Sequence, residues 1–117
     1  MRIMRLSQLQ ERIRDFERRR SWDKFRDSLI YAHLIEEVTE IGRFILEREG
    51  YKRPGLGHST NQDDIGSEFA QVLTLLVQLA NRFDVDLEKA LEVEIPKMEK
   101  RFPPELWRDA LKGEGGG

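Results

Sequence analysis

Two acidic clusters in this chain have the side-chain types and the spacing to share a cation. Glu36, Glu37 and Glu40 form the first, and Glu68 with Asp64 and Gln71 forms the second. On a helix turning about 100° per residue, Glu37 falls in one sector with Ile30, Leu34, Ile41 and Phe44, so an ionisable group points toward the core. Glu40 and Glu36 follow on the flank of that stripe. Glu68 borders the apolar arc of Val72, Leu75 and Leu79, with Asp64 and Gln71 on its polar side. Like charges one turn apart destabilise a helix by a few tenths of a kcal/mol per pair. Burying an unpaired carboxylate costs several kcal/mol, which a shared divalent cation offsets. Oxygen-only ligands suit Mg2+, or Mn2+, completed by waters and substrate phosphates. Lys or Arg on a neighbouring helix would satisfy the same carboxylates equally well, and spacing alone leaves both readings open.

Positioning these groups requires long amphipathic helices. Ser7 followed by Gln10 has the form of a capping box, and Leu9, Ile13 and Phe16 then recur at helical spacing, which predicts a first helix over 7–20. The segment from Ser21 to Asp27 breaks the period. A second stripe runs from Leu29 to Leu46, with Gly50 as its stop. The glycine-containing stretch from Gly50 to Asp63 is a loop of functional length. A third helix opens between Thr60 and Asp64 and carries an apolar arc too wide for one neighbour, which makes it central. Asp86 caps a fourth helix to about Arg101, with a kink expected at Pro96, and a short turn over 105–111 precedes a glycine-rich tail. The organisation is thus one all-α domain over 1–112, a bundle of four to five helices whose narrow core oligomerisation completes, and a flexible tail over 113–117.

Composition removes several classes. The 20 Lys and Arg nearly balance the 22 Asp and Glu, so no global field draws in a nucleic acid polymer. Cysteine is absent, which excludes disulfides, thiolate metal sites and cysteine nucleophiles. No segment approaches the roughly 20 apolar residues of a membrane span, and the first residues lack the apolar stretch of a signal peptide. A cytoplasmic protein without membrane contact is the expectation.

Leu34-Ile35-Glu36-Glu37-Val38-Thr39-Glu40-Ile41 resembles the EExxE motif of the MazG-like nucleoside triphosphate pyrophosphohydrolases, and Glu68-Phe69-Ala70-Gln71-Val72-Leu73 resembles the ExxD-V-L motif that follows it. Leu79-Ala80, Val85-Asp86-Leu87, Ala90 and Arg101-Phe102-Pro103 are similar to the family's next turn and helix. Leu9-Gln10, Phe16 and Ser21-Trp22-Asp23-Lys24-Phe25 are similar to the entry segment of its dCTP-pyrophosphatase-like branch. The resemblance implies an all-α homodimer or homotetramer that hydrolyses a nucleoside triphosphate to the monophosphate and pyrophosphate with Mg2+, in a role such as nucleotide-pool housecleaning. Carried over, Glu36, Glu37, Glu40 and Glu68 hold metal, and Glu36 or Glu37 acts as the base.

Three positions depart from the family pattern: Gln71 stands for an aspartate, Glu94 for a lysine and Met98 for an asparagine. Asp64, one turn before Glu68, is the proposed replacement for the lost carboxylate. Gln71 keeps a neutral carbonyl oxygen for the same ion, and Lys97 and Arg101 are the candidates to replace lost phosphate contacts, Arg101 the better of the two, since Lys97 also reads as a lysine exposed to solvent. The alternative is a catalytically impaired nucleotide-binding module or helical scaffold that retains the fold. Trp22 and Phe25 either stack on a nucleobase or plug the end of the bundle. His33, one turn before Glu37, is a weaker candidate for the site, and Lys52, Arg53, His58 and Ser59 form a loop without a P-loop pattern. Arg18, Arg19 and Arg20 suit the negative end of a helix.

Overall fold

The computed structural model describes residues 4–53, 55–57 and 64–113, so His58, Ser59, Thr60 and most of the expected tail lie outside the described residues. The described residues form five α-helices and one 3-10 turn, with no strand: α1 Leu6–Arg19, the turn Trp22–Lys24, α2 Asp27–Arg48, α3 Ile65–Arg82, α4 Leu87–Arg101 and α5 Pro104–Lys112. The all-α expectation holds.

α2 and α3 make the principal helix pair, α1 packs on α3, and α4 packs on α1. The α2–α3 pair is antiparallel, because Arg82 at the end of α3 reaches Asp27 at the start of α2, 3.3 Å away. α2 ends as its sequence requires. Gly50 adopts φ +82°, and the amides of Gly50 and Tyr51 donate to the carbonyls of Glu47 and Leu46 at 3.0 Å each, closing a Schellman motif that satisfies the last carbonyls. α3 ends the same way around Asp84, at φ +54°, with Val85 N donating to Ala80 O at 2.9 Å.

The first helix departs from expectation in its cap and in the part played by Gln10. The N-cap is Arg5 rather than Ser7, and Gln8 Oε1 accepts from the Arg5 amide at 2.8 Å. Ser7 instead ties α1 to α4, donating from both N and Oγ to Glu88 Oε1 at 3.1 Å. Gln10 is buried, not capping: its Nε2 donates to Asn81 Oδ1 at 2.9 Å and Val85 O at 2.8 Å, and its Oε1 accepts from Leu87 N at 3.0 Å. Gln10 therefore saturates the backbone of the α3–α4 turn, where an unpaired buried amide would cost about 1–3 kcal/mol.

Buried apolar side chains are few among the described residues: Ile13, Ile30, Leu75 and Val77. α4 and α5 leave Leu91, Val93, Ile95, Met98, Leu106 and Trp107 exposed. The radius of gyration is 19.1 Å, against roughly 13 Å for a compact chain of this length. α4 continues through Pro96, and no helix among the described residues is long and apolar enough to cross a membrane.

Candidate active site between the second and third helices

Glu68, Gln71, Leu75, Gln78 and Arg82 follow one another at three- and four-residue steps, so they form a single stripe along α3. That stripe faces α2 and the end of α1. Between them lies a cavity of about 590 Å³, within the ordinary range for a small-molecule site. Trp22, Phe25 and Phe16 make its aromatic wall, Leu29, Ile30 and Leu75 its aliphatic one, and Glu17, His33, Ser67, Gln71, Thr74 and Gln78 its polar positions.

The aromatic wall is built by the turn between α1 and α2. Phe16 and Trp22 meet edge to face at 5.5 Å, and Trp22 leans on Phe25 at 6.5 Å. Both Trp22 and Phe25 stay about half exposed, at 41% and 50%, so they line an open cavity rather than plug the bundle. Arg82 fixes this turn. Its guanidinium donates to the carbonyls of Trp22, at 2.8 Å, and Phe25, and it pairs with Glu17 at 3.4 Å.

Glu36, Glu37, Glu40, Glu68 and Asp64 do not line the cavity; of the predicted metal residues only Gln71 does, and Glu37 and Glu68 each lie one turn from a lining residue, His33 and Gln71. Counting from the Asp27–Arg82 contact, Glu37 is ten residues along α2 and Glu68 fourteen back along α3. The two are then offset by about 6 Å, one helical turn, along the pair. Glu68 is buried at 5% exposure and its Oε2 is shielded from solvent. Glu37 is only 17% exposed at its side chain, and His33 Nε2 lies 3.4 Å from its Oε1. The sequence expectation that Glu37 occupies the inward stripe is met. Glu40 is half-buried with Arg43 3.3 Å away, and Glu36 is exposed at the edge.

Asp64 has a structural task as well. It is the N-cap of α3 and its Oδ1 accepts from Gly66 N at 3.0 Å. Gln71 Nε2 donates to Ser67 Oγ at 3.3 Å. The donor set is all oxygen and therefore suits magnesium or manganese in kind. In the present rotamers, no three His, Asp or Glu side chains among the described residues converge closely enough to hold an ion. Three of the carboxylates have partners of their own: Glu40 lies beside Arg43, Glu37 beside His33, and Asp64 accepts from the Gly66 amide.

Lys97 and Arg101 do not join this cavity. Both are exposed on α4, which packs on α1, and the Arg101 guanidinium rests 5.2 Å above the Phe102 ring. Lys52 and Arg53 lie in the loop after α2, where Arg53 Nε bonds Gly50 O at 2.8 Å.

Residues 25–105 match the family model of the MazG nucleotide pyrophosphohydrolase domain. The chain belongs to that family. The match spans both acidic clusters and begins at Phe25, so Trp22, Glu17 and all of α1 lie before it. Comparison with curated proteins gives no match, and comparison with solved structures gives none either. The family match covers the acidic stripes of α2 and α3. The contribution of α1 rests on geometry alone, and besides Phe16 it brings a side chain that spacing did not single out, Glu17. Gln10 and Glu17 share one helical sector with Ile13, and polar residues on an apolar stripe were the available signal.

Proposed function

We propose that this protein is a magnesium-dependent nucleoside triphosphate pyrophosphohydrolase, releasing pyrophosphate and a nucleoside monophosphate. The observation that supports the reading is that two largely buried carboxylates, Glu37 and Glu68, lie on the paired helices α2 and α3 with an axial offset of about one turn by residue count, each one turn from a residue lining the aromatic cavity. Glu36, Glu37, Glu40 and Glu68, with Asp64 and the Gln71 carbonyl oxygen, would hold the cation. When bound, it supplies charge neutralisation for the triphosphate and acidifies the attacking water. Glu37 is the better placed base of the Glu36–Glu37 pair, since it lies inward and touches His33, which lines the cavity. Glu37 takes the water's proton as the oxygen attacks phosphorus and the bond to pyrophosphate breaks. Trp22 and Phe25 offer ring faces to the base.

The same reading includes a homodimer or homotetramer. The exposed apolar faces of α4 and α5 and the large radius of gyration support it, because monomers seldom leave so large an apolar surface wet. Lys97 and Arg101, remote from their own chain's cavity, would then serve the phosphates of a neighbouring copy.

Incubating the protein with magnesium and a panel of ribo- and deoxyribonucleoside triphosphates is expected to yield pyrophosphate and monophosphate in equal amounts. Thermal stabilisation by nucleotide with no pyrophosphate would replace this reading with a binding module that retains the fold, the outcome that Gln71, Glu94 and Met98 favour. The two tasks of Asp64 are separable. Asp64→Asn keeps a side-chain cap of nearly equal strength and removes one ligand charge. It is expected to leave the melting temperature nearly unchanged while weakening magnesium activation by about tenfold, one charged contact's worth; equal magnesium dependence in titrations of the two proteins would remove Asp64 from the metal set.

A further inference from the structure

Two polar side chains in the cavity have no task in the reaction just described. Glu17 is 4% exposed and Gln78 is 5% exposed, and both line the cavity beside the aromatic wall. Among the described residues, the Gln78 amide makes no hydrogen bond, and Glu17 uses Oε2 for Arg82 while Oε1 accepts none. Buried amides and carboxylates are nearly always hydrogen-bonded, so such groups facing a cavity are matched to whatever fills it.

We propose that Glu17 and Gln78 are specificity-determining residues that read the polar edge of the base, and that Glu17 selects bases carrying an exocyclic amino group. The inference rests on the base occupying this cavity, as in the function proposed above. Glu17 pairs with Arg82, itself anchored on the carbonyls of Trp22 and Phe25, and this pairing biases its carboxylate toward the orientation it has here. An ionised carboxylate only accepts hydrogen bonds. The amino groups of cytosine, adenine and guanine present N–H donors at their edges. Uracil and thymine flank their ring N–H with a carbonyl oxygen on each side, which is set against the carboxylate, and hypoxanthine has only a C–H where guanine carries its amino group, so it loses that donor. The Gln78 amide carries both a donor and an acceptor and can turn either toward the base. Gln78 therefore follows the base, while Glu17 chooses it. A site built to bond a particular group strongly rejects the analogue without it, because its own buried atoms are then left unmatched.

The test uses two ligand pairs, GMP and IMP, which differ only by the amino group, and CMP and UMP, which differ by the amino group and the adjoining ring N–H. Calorimetric titration of the protein with CMP and UMP, and with GMP and IMP, in magnesium chloride should give tighter binding of CMP and GMP, by between about tenfold and a hundredfold within each pair. Glu17→Gln should bring both ratios close to one. Gln78→Met, of similar volume and without hydrogen-bonding groups, should weaken all four ligands while preserving the order within each pair, and it provides a second readout if the Glu17 variant does not fold. Equal affinities within both pairs for the unaltered protein overturn the inference and leave the enzymatic reading intact. Failure of every nucleotide to bind overturns both.

Discussion

Glu37→Gln is expected to lower pyrophosphate release by at least about a hundredfold, the usual contribution of a positioned general base, while the protein melts within a few degrees of the parent. Glutamine has the same shape and keeps one carbonyl oxygen, but it cannot accept the proton of an attacking water. It also removes one unit of ligand charge from the cluster, which lowers affinity for a hard dication. Rate and metal affinity therefore fall together, and saturating magnesium should recover only the second. The folded state loses little, because the Glu37 contact with His33 is long, at 3.4 Å, and made by an exposed imidazole. Glu36→Gln, on an exposed side chain, should cost less at saturating magnesium. If Glu36→Gln proves the more damaging of the two under those conditions, the proton acceptor is Glu36 and the assignment above is reversed.

How much of this was readable from the residues differs from helix to helix, for physical reasons. α4 begins after Asp86 and ends at Arg101 as expected, with Asp86 Oδ1 accepting from Lys89 N at 3.1 Å; caps and periodicity are local, so local sequence suffices. The start of α1 was harder. Ser7 and Gln10 satisfy the capping pattern on paper, yet the N-cap is Arg5, whose amide donates to Gln8, and Gln10 is drawn inward by Asn81 and the amide of Leu87. That competition is decided by α3 and α4, elements that a local pattern does not include. Glu37 was legible because an acid inside an apolar sector is conspicuous. Glu17 and Gln78 were not, since their burial depends on which helix lies opposite. The same holds for Lys97 and Arg101: their spacing on α4 is plain, but the packing of α4 on α1 takes them away from the cavity.

Arg82→Ala is expected to be the most destabilising single change near the site, by about 3 kcal/mol, at the low end for breaking a buried ion pair. Arg82 and Glu17 are 15% and 6% exposed at their side chains, so removing the guanidinium leaves a largely buried carboxylate without its cation. The low end applies because the pair is 3.4 Å apart and not in close contact. The carbonyls of Trp22 and Phe25 lose their donor in the same step, and nothing else among the described residues links that turn to the end of α3 by a side-chain bond. Against a total of roughly 5–15 kcal/mol for a domain, the loss should lower the melting temperature by roughly 10–20 °C. The turn also positions Trp22 and Phe25, so nucleotide affinity should fall even at temperatures where the variant remains folded. Arg82→Lys separates charge from shape. A single ammonium can neutralise Glu17 but cannot span the carboxylate and two carbonyls as the guanidinium fork does, so it should restore part of the stability and less of the affinity. A melting temperature for Arg82→Ala within about 2 °C of the parent would mean that solvent already screens Glu17. In that case the fixed carboxylate on which base selection depends would not exist.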